Sequence, residues 1–383
     1  MRLLMVSGDR QVAIGERGPF YSMQREFSRY FERIDVICPR PPGEVTIRSI
    51  WDNVHFHPAT VDRTDMVGYI VRRGGELIDQ HQHSLIVSHD YGWFYNGLGS
   101  GALSRAHGIP YISEIHHVPG VPVAANMRER FDKWVARAYI RWARRRARAF
   151  RVVNESEMPG LLRGWGVPRG KILVLPSLYI DQGVFRPAAE RLEAEYDLVF
   201  VGRMVMNKGV DRILRSMRIL AQEGMPLRGL FVGKGPLLDS MRSLAERLKV
   251  EAHFLEWVDR PEDLADLYRR SRVCVCASTC EGGPRFTVEA MACGTPVVST
   301  AVGVMPDLVG DGRAGGLTSF DDHGLAGALR RVLESEELRL AMGDHAVKVA
   351  APFEYERSIG VYANGLRQLV GEEPLAPDER SEA

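Results

Sequence analysis

The sequence has no apolar run near the ~18 residues that a membrane span requires, so a transmembrane anchor is not expected. Its start, MRLLMVSGDR, reaches Asp9 and Arg10 before the ~7–15 apolar residues of a signal-peptide core can accumulate. Cysteine is sparse and odd in number, with residues at 38, 274, 276, 280 and 293. No CxxC knuckle is present, and His253 is too remote in sequence to complete a metal site. Cys274 and Cys276 lie in the apolar run Val273–Ala277 and read as small hydrophobes of a buried strand, in a reducing, cytoplasmic setting. A dinucleotide fingerprint is missing too: Val6-Ser7-Gly8-Asp9-Arg10-Gln11 stands where GxGxxG would follow the first strand, and there is no Walker P-loop. Net charge is also lacking. Fifty Lys plus Arg against 49 Asp plus Glu leave +1, which argues against a nucleic-acid partner. That neutrality is an average, because residues 1–190 carry +7 and residues 191–383 carry −6. Arg128 to Arg151 alone holds ten basic and two acidic residues.

What is present is ordinary globular composition, 45% hydrophobic and 26% charged, over 383 residues, a length that suggests two domains. Short β-rich runs alternate with helix-period segments. The first series is Leu3–Val6, Ile34–Cys38, Leu85–Ser88, Tyr111–Ile115, Phe150–Val153 and Ile172–Leu175. A second comprises Asp197–Val201, Arg228–Val232, His253–Leu255, Val273–Ala277 and Pro296–Ser299. Several are continuous apolar runs, as strands covered by helices on both faces require. The reading is an α/β protein with two doubly wound, Rossmann-like domains, residues 1–185 and 186–354, facing across a cleft. Residues 371–383 are expected to form a flexible polar tail.

The most informative stretch runs from Glu281 to Pro296. Gly282 and Gly283 permit close backbone approach, Pro284 suits a helix start, and Thr287–Ala292 reads as helix. Such a turn presents unpaired N–H groups at the helix end that favours phosphate. Glu281 and Glu289, about two turns apart, would serve different parts of one ligand. Upstream, Gly202 and Arg203 close a strand and Lys208-Gly209 opens the next helix. An arginine fork and a lysine point charge in one loop can clamp a diphosphate. Gly233-Lys234-Gly235-Pro236 adds another glycine turn at a strand end.

Together with Ala290-Met291-Ala292 and Gly294-Thr295-Pro296-Val297-Val298, these residues resemble the retaining family 4 glycosyltransferases of GT-B fold. The resemblance covers nearly the whole chain and is most specific over residues 198–310. It implies a nucleotide-diphosphate sugar as donor, without choosing between UDP and GDP, and a glycan or lipid-linked acceptor. Arg203 and Lys208, helped by amides at Gly282, Gly283 and the following helix, would neutralise the departing diphosphate, with Pro284 and Arg285 also in the donor site. Glu289 would accept the ribose hydroxyls, and Glu281 would contact the donor sugar. Gly15 and Gly18 match the family's flexible loop near the diphosphate. His116, placed just after the strand Tyr111–Ile115, would orient the donor sugar or assist proton transfer, with His117 as the alternative. The segment ending at Val258 would approach the nucleobase, although Glu256 stands where the family usually has glycine. Gly303–Asp307 fits as well, with aspartate in place of the more usual glutamate. The resemblance also implies that a helix around Tyr355–Leu369 crosses back to the first domain.

No Asp-x-Asp triplet occurs, so cations and a helix dipole would take the place of a metal, and no cofactor is implied. A paired-carboxylate hydrolase leaves the cations and glycine turns without a purpose. A sugar-nucleotide epimerase and a noncatalytic binding protein of the same fold are the alternatives carried forward. Residues 128–148 read as a helix with Phe131, Trp134, Val135, Ala138, Tyr139 and Trp142 on its packed face. Arg137, Arg141, Arg144, Arg145 and Arg148 would form the opposite stripe, either simply solvated or contacting an anionic membrane from the cytoplasmic side.

Overall fold

The computed structural model describes residues 1–190 and 192–375. The first half alternates β1 (Arg2–Val6), α1 (Pro19–Phe27), β2 (Arg33–Cys38), β3 (Ser49–Ile50), β4 (Val54–Pro58) and α2 (Met66–His81). It continues with β5 (Leu85–His89), α3 (Tyr95–His107), β6 (Tyr111–Glu114), α4 (Met127–Ala143), β7 (Ala149–Val152), α5 (Met158–Gly164) and β8 (Ile172–Val174). These strands form one sheet in the order β3-β4-β2-β1-β5-β6-β7-β8, parallel except for β3 against β4.

The second half runs β9 (Tyr196–Val201), α6 (Val210–Gln222), β10 (Arg228–Val232), α7 (Leu238–Leu248), β11 (Glu251–Leu255), α8 (Pro261–Arg269) and β12 (Ser271–Cys276). Then follow α9 (Arg285–Ala292), β13 (Val297–Thr300), α10 (Met305–Val309), β14 (Gly315–Thr318), α11 (Asp322–Leu333), α12 (Glu336–Ala350) and α13 (Tyr355–Leu369). Its sheet is fully parallel, in the order β11-β10-β9-β12-β13-β14. Both are doubly wound, so the point where the strand order reverses opens a crevice at the strand C-terminal ends.

Burial follows position in the sheet. Central strands β1 and β12 are buried almost throughout and β9 at its middle, whereas edge strand β11 alternates between half-buried and exposed. All five cysteines are free and buried. Burial raises the pKa of the Cys274 and Cys276 thiols, which makes them packing groups rather than nucleophiles.

Three strands escaped the sequence reading: β3, β4 and β14. Val54-His55-Phe56-His57-Pro58 mixes imidazoles into its alternation, and Gly315-Gly316-Leu317-Thr318 has little side chain to signal a strand. The change of core also comes earlier than the expected 185/186. Tyr179 packs with the first domain, whereas Ile180 and Phe185 belong to the second core. The chain crosses here and again near Glu354, and the two crossings are stitched by the Ile180 N–H donating to Phe353 O at 2.8 Å. Helix α13 lies on the first domain, where Tyr362 meets Phe27 with ring centroids 4.9 Å apart.

Of the expected tail, residues 376–383 lie outside the described residues. Its described part is anchored rather than free: the Leu375 N–H donates to Asn364 Oδ1 at 2.9 Å, and Arg367 Nε donates to Glu373 O at 2.8 Å. The polar composition concealed the apolar Leu375, which packs on the α13 face.

Helix α4 corrects another expectation. Its covered stripe is Ala136, Tyr139, Ile140 and Ala143, with Tyr139 donating to the buried Asp90 carboxyl at 2.6 Å. Phe131 and Trp134 face solvent, 48% and 65% exposed, and Ala138 is exposed beside them. Arg144 leaves the expected stripe, since it is half-buried past the helix end and donates to Gly166 O at 3.2 Å.

Candidate active site

The second sheet presents its loops at the C-terminal ends of β9, β10 and β12. The Gly202 N–H donates to Val232 O at 2.9 Å and the Met204 N–H to Lys234 O at 2.8 Å, which locks the β9 and β10 loops together around Gly202 and Gly233. Arg203 is exposed at this seam, and its guanidinium makes no hydrogen bond or ion pair to any described residue. Lys208 ends a single 3₁₀ turn, Met206–Lys208. Gly209 follows at φ +65°, and a Cβ there would stand 2.3 Å from Ala277 O, so only glycine lets this loop touch the end of β12. The Thr279 N–H donating to Asn207 O at 2.8 Å ties the same loops.

Lys208 Nζ donates to Glu281 Oε1, and Ser278 Oγ donates to the same oxygen at 2.7 Å. Both members of the ion pair are largely buried. Ser278 was not singled out from the sequence, although its place three residues before Glu281, just past a buried strand, is the signal that could have found it. Beyond Glu281, the N–H groups of Gly282 and Gly283 donate to no described residue. Pro284 caps α9 without a side-chain acceptor; the Thr287 N–H donates to Pro284 O at 3.0 Å, which leaves the Arg285 and Phe286 amides open to an anion. Helix α9 begins at Arg285, two residues earlier than the reading placed it.

Glu289 lies on the buried face of α9, 8% exposed. Arg285 Nε donates to its Oε1 at 2.9 Å and Tyr268 Oη to its Oε2 at 3.1 Å. Burial raises the Glu289 pKa, and both donors oppose that rise. Tyr268 is a second missed residue, since nothing in its sequence context distinguishes it from a core aromatic. Arg285 also lies over the Tyr179 ring, 5.2 Å from its centroid, which joins the helix to the interdomain crossing. Val258 is half-buried against the second core, while Glu256 pairs with Arg242 at 3.3 Å on the surface.

The first domain closes the opposite wall. Cβ placed on Gly282 would meet His116 O at 2.9 Å, so the glycine turn abuts the end of β6. His116, 43% exposed, sits 3.4 Å from Arg151 Nη1 and 3.7 Å from Glu114 Oε2. Glu114, Arg151 and His116 line a cavity of about 170 Å³ with Pro19, Phe20 and His89. Burial pushes the Glu114 pKa up, but Arg151 and the two imidazoles hold it well below the usual range, so Glu114 stays ionised. Desolvation lowers the His89 pKa to about 4, keeping that ring neutral. Neither the Glu114–Arg151 pair nor its Tyr362 donor was foreseen, because the partners come from β6, β7 and α13. Gly18 is the N-cap of α1, directly before the cavity-lining Pro19, and Gly15 turns the preceding loop at φ +95°.

His117 is placed differently. It is exposed to solvent. Desolvation lowers its pKa, with His116 and Lys208 adding to the effect and Glu281 opposing it. The two histidines therefore divide: His116 belongs to the Glu114–Arg151 cluster, and His117 lies within the field of the Lys208–Glu281 pair.

A latch spans the cleft near Gly303. Asp307 accepts from the N–H groups of Glu155 at 2.7 Å and Ser156 at 3.0 Å, and from Ser156 Oγ. Glu157 Oε2 accepts from the Gly303 N–H at 3.3 Å. Among the described residues no group of three or more His, Cys, Asp or Glu is placed to hold a metal ion.

Two parallel-sheet domains, facing across a cleft lined by cations, open amides and a buried carboxylate, define a GT-B transferase architecture. Residues 181–349 match the glycosyl transferases group 1 family, and residues 20–177 match the glycosyl transferase 4-like domain. Among curated relatives, the D-inositol 3-phosphate glycosyltransferase of Corynebacterium jeikeium is 31% identical over 59% of this chain and 58% of its own length. The protein of that name from Segniliparus rotundus is 28% identical over 77% of this chain and 68% of its own. The match thus spans little more than half the length of the first of these relatives. Among solved structures, a sucrose-phosphate synthase from Thermosynechococcus elongatus superposes with a TM-score of 0.77 at 20% identity, covering 96% of this chain and 98% of that one. HepE of Anabaena, solved in complex with UDP and glucose, superposes at 0.72 and 17% identity, covering 96% of this chain and 100% of that one.

Proposed function

We propose that the protein is a metal-independent, retaining glycosyltransferase that moves a sugar from a nucleotide-diphosphate sugar to the hydroxyl of a glycan or lipid-linked acceptor. The observation that carries this reading is the unpartnered Arg203 guanidinium, the Lys208–Glu281 pair and the open Gly282 and Gly283 amides, all in loops at the C-terminal end of one sheet, opposite His116. Arg203, Lys208 and the α9 amides bind the diphosphate and stabilise the charge that builds as its bond to the anomeric carbon breaks. Each such donor is commonly worth ~3–4 kcal/mol in the transition state. Glu289, its orientation fixed by Arg285 and Tyr268, accepts the ribose hydroxyls. When the diphosphate takes Lys208, Glu281 is released to accept from donor-sugar hydroxyls. His116, held by Glu114 and Arg151, orients the sugar or takes the acceptor proton. These cations occupy the role a metal fills elsewhere.

HepE's UDP and UDP-glucose complexes make uridine donors the first to test, and the curated relatives put inositol phosphates beside glycans and lipid-linked acceptors. The test is release of nucleoside diphosphate from a panel of UDP- and GDP-sugars with and without acceptors, in EDTA. Acceptor-dependent release with transfer of the sugar supports the reading. An isomerised donor sugar without acceptor would make the protein an epimerase, and binding without turnover would make it noncatalytic.

A further inference from the structure

The solvent-facing side of α4 is not an ordinary charged helix surface. Met127, Phe131 and Trp134, spaced four and three residues apart, form one stripe that is 73%, 48% and 65% exposed. Trp93, 69% exposed, reaches from the loop after β5 and sets its ring 6.0 Å from that of Phe131, which is in turn 6.0 Å from Trp134. Three large aromatics thus make a continuous apolar ridge in water, where isolated exposed aromatics would need no explanation. Cations surround this ridge: Arg128, Arg130, Arg137, Arg141, Arg145 and Arg148 are all exposed. None of the arginines from 128 to 148 forms an ion pair with a described residue. Elsewhere the chain pairs exposed arginines readily, as in Arg260 with Asp263 and Arg228 with Glu251. The acids on α4 do not neutralise the ridge. Glu129 turns back to accept from the Ala125 N–H at 2.7 Å, and Asp132 is half-buried.

We propose that α4 and the Trp93 loop form a docking face for an anionic lipid bilayer. Indole and phenyl rings settle at the headgroup boundary, and arginines lay their stems along them while their heads reach lipid phosphate. An anionic leaflet supplies the negative charge that this face lacks. The location suits such contact: the Trp93 loop leaves β5 and α4 follows β6, the two strands whose ends carry His89 and His116. Docking here sets the cleft rim at the lipid surface. The docking does not depend on the transferase reading, but its use, bringing a lipid-borne acceptor hydroxyl to His116, rests on that reading.

The experiment is cosedimentation with phosphatidylglycerol/phosphatidylcholine vesicles, with pure phosphatidylcholine vesicles and a short duplex DNA as comparisons. The protein should pellet with the anionic vesicles and not with the zwitterionic ones, less so as salt rises. Each cation near such a surface is worth about a fivefold change in partition, so Arg137→Glu with Arg141→Glu should lower binding by at least ~25-fold. Phe131→Ser with Trp134→Ser should lower it at low and high salt alike. An unchanged melting temperature shows that each variant is folded. Absence of pelleting, equal pelleting with neutral vesicles, wild-type binding by the double charge reversal, or binding of the duplex in place of vesicles would each overturn the docking face. Vesicle binding without any sugar transfer would instead strike the transferase reading alone.

Discussion

Replacing Glu289 by glutamine separates affinity from stability. The wild-type carboxylate is nine-tenths covered and raised in pKa by that burial, so its charge is held against a desolvation cost. Glutamine removes the charge and keeps the shape. Its oxygen can accept from Arg285 while its amide donates to the Tyr268 hydroxyl, which leaves no buried donor facing another. Folding stability should therefore hold or rise at pH 7. The sign follows from linkage: a carboxyl with a raised folded pKa loses stability as pH climbs through that value, and the neutral amide does not. Ligand affinity should move the other way. Two ribose hydroxyls can both donate to a carboxylate, whereas the amide oxygen accepts one and offers the second a competing donor. One hydrogen bond to a charged group, ~1.5–3 kcal/mol, is lost, so nucleotide dissociation constants should rise about 10- to 150-fold. Calorimetric titration alongside thermal melting measures both quantities. Unchanged affinity, or affinity and melting temperature falling together, would refute the assignment of Glu289 to the ribose.

Three further outcomes follow from the same geometry. Lys208→Ala should lower kcat by ~10²–10³-fold, with a circular dichroism spectrum like the wild type, because Ser278 still satisfies Glu281. His116→Ala should lower kcat by at least ~10²-fold and His117→Ala far less, and the reverse order would transfer the role to the ring nearer Lys208. Glu157 is pushed up to about 7 by burial, with Asp307 adding to this and the Gly303 N–H opposing it. Stability held by its neutral form is fully present below about 4.5 and is lost as pH rises to about 7. Glu157→Gln should therefore match the wild type at pH 4 and exceed it by ~3 kcal/mol at pH 8, read from denaturant unfolding at both pH values.

The sequence showed the sheet centres and the donor-side loops plainly, because buried parallel strands are continuous apolar runs and glycine turns flank cations at fixed offsets. It hid what depends on partners distant in the chain. Tyr268 against Glu289, Arg151 against Glu114, and Asp307 against Ser156 are pairings that no local window contains. Helix α4 misled for a physical reason. It has two apolar stripes, and the heavier one, Met127-Phe131-Trp134, is the one left uncovered. The lighter stripe is chosen because α4 packs against α3, where Gly97 leaves room for the Tyr139 ring and the Tyr139 hydroxyl reaches Asp90. Periodicity locates a face but does not say which face is covered. At or next to the sheet edges, β14 and β4 carry too few β-branched residues to announce themselves.

The most direct test of the central claim is calorimetric titration of UDP and GDP in EDTA, on the wild type and on Arg203→Ala/Lys208→Ala. The account predicts that one nucleotide binds the wild type without divalent metal and that the double variant loses it. Binding that requires added metal, or that survives loss of both cations, would contradict the diphosphate clamp.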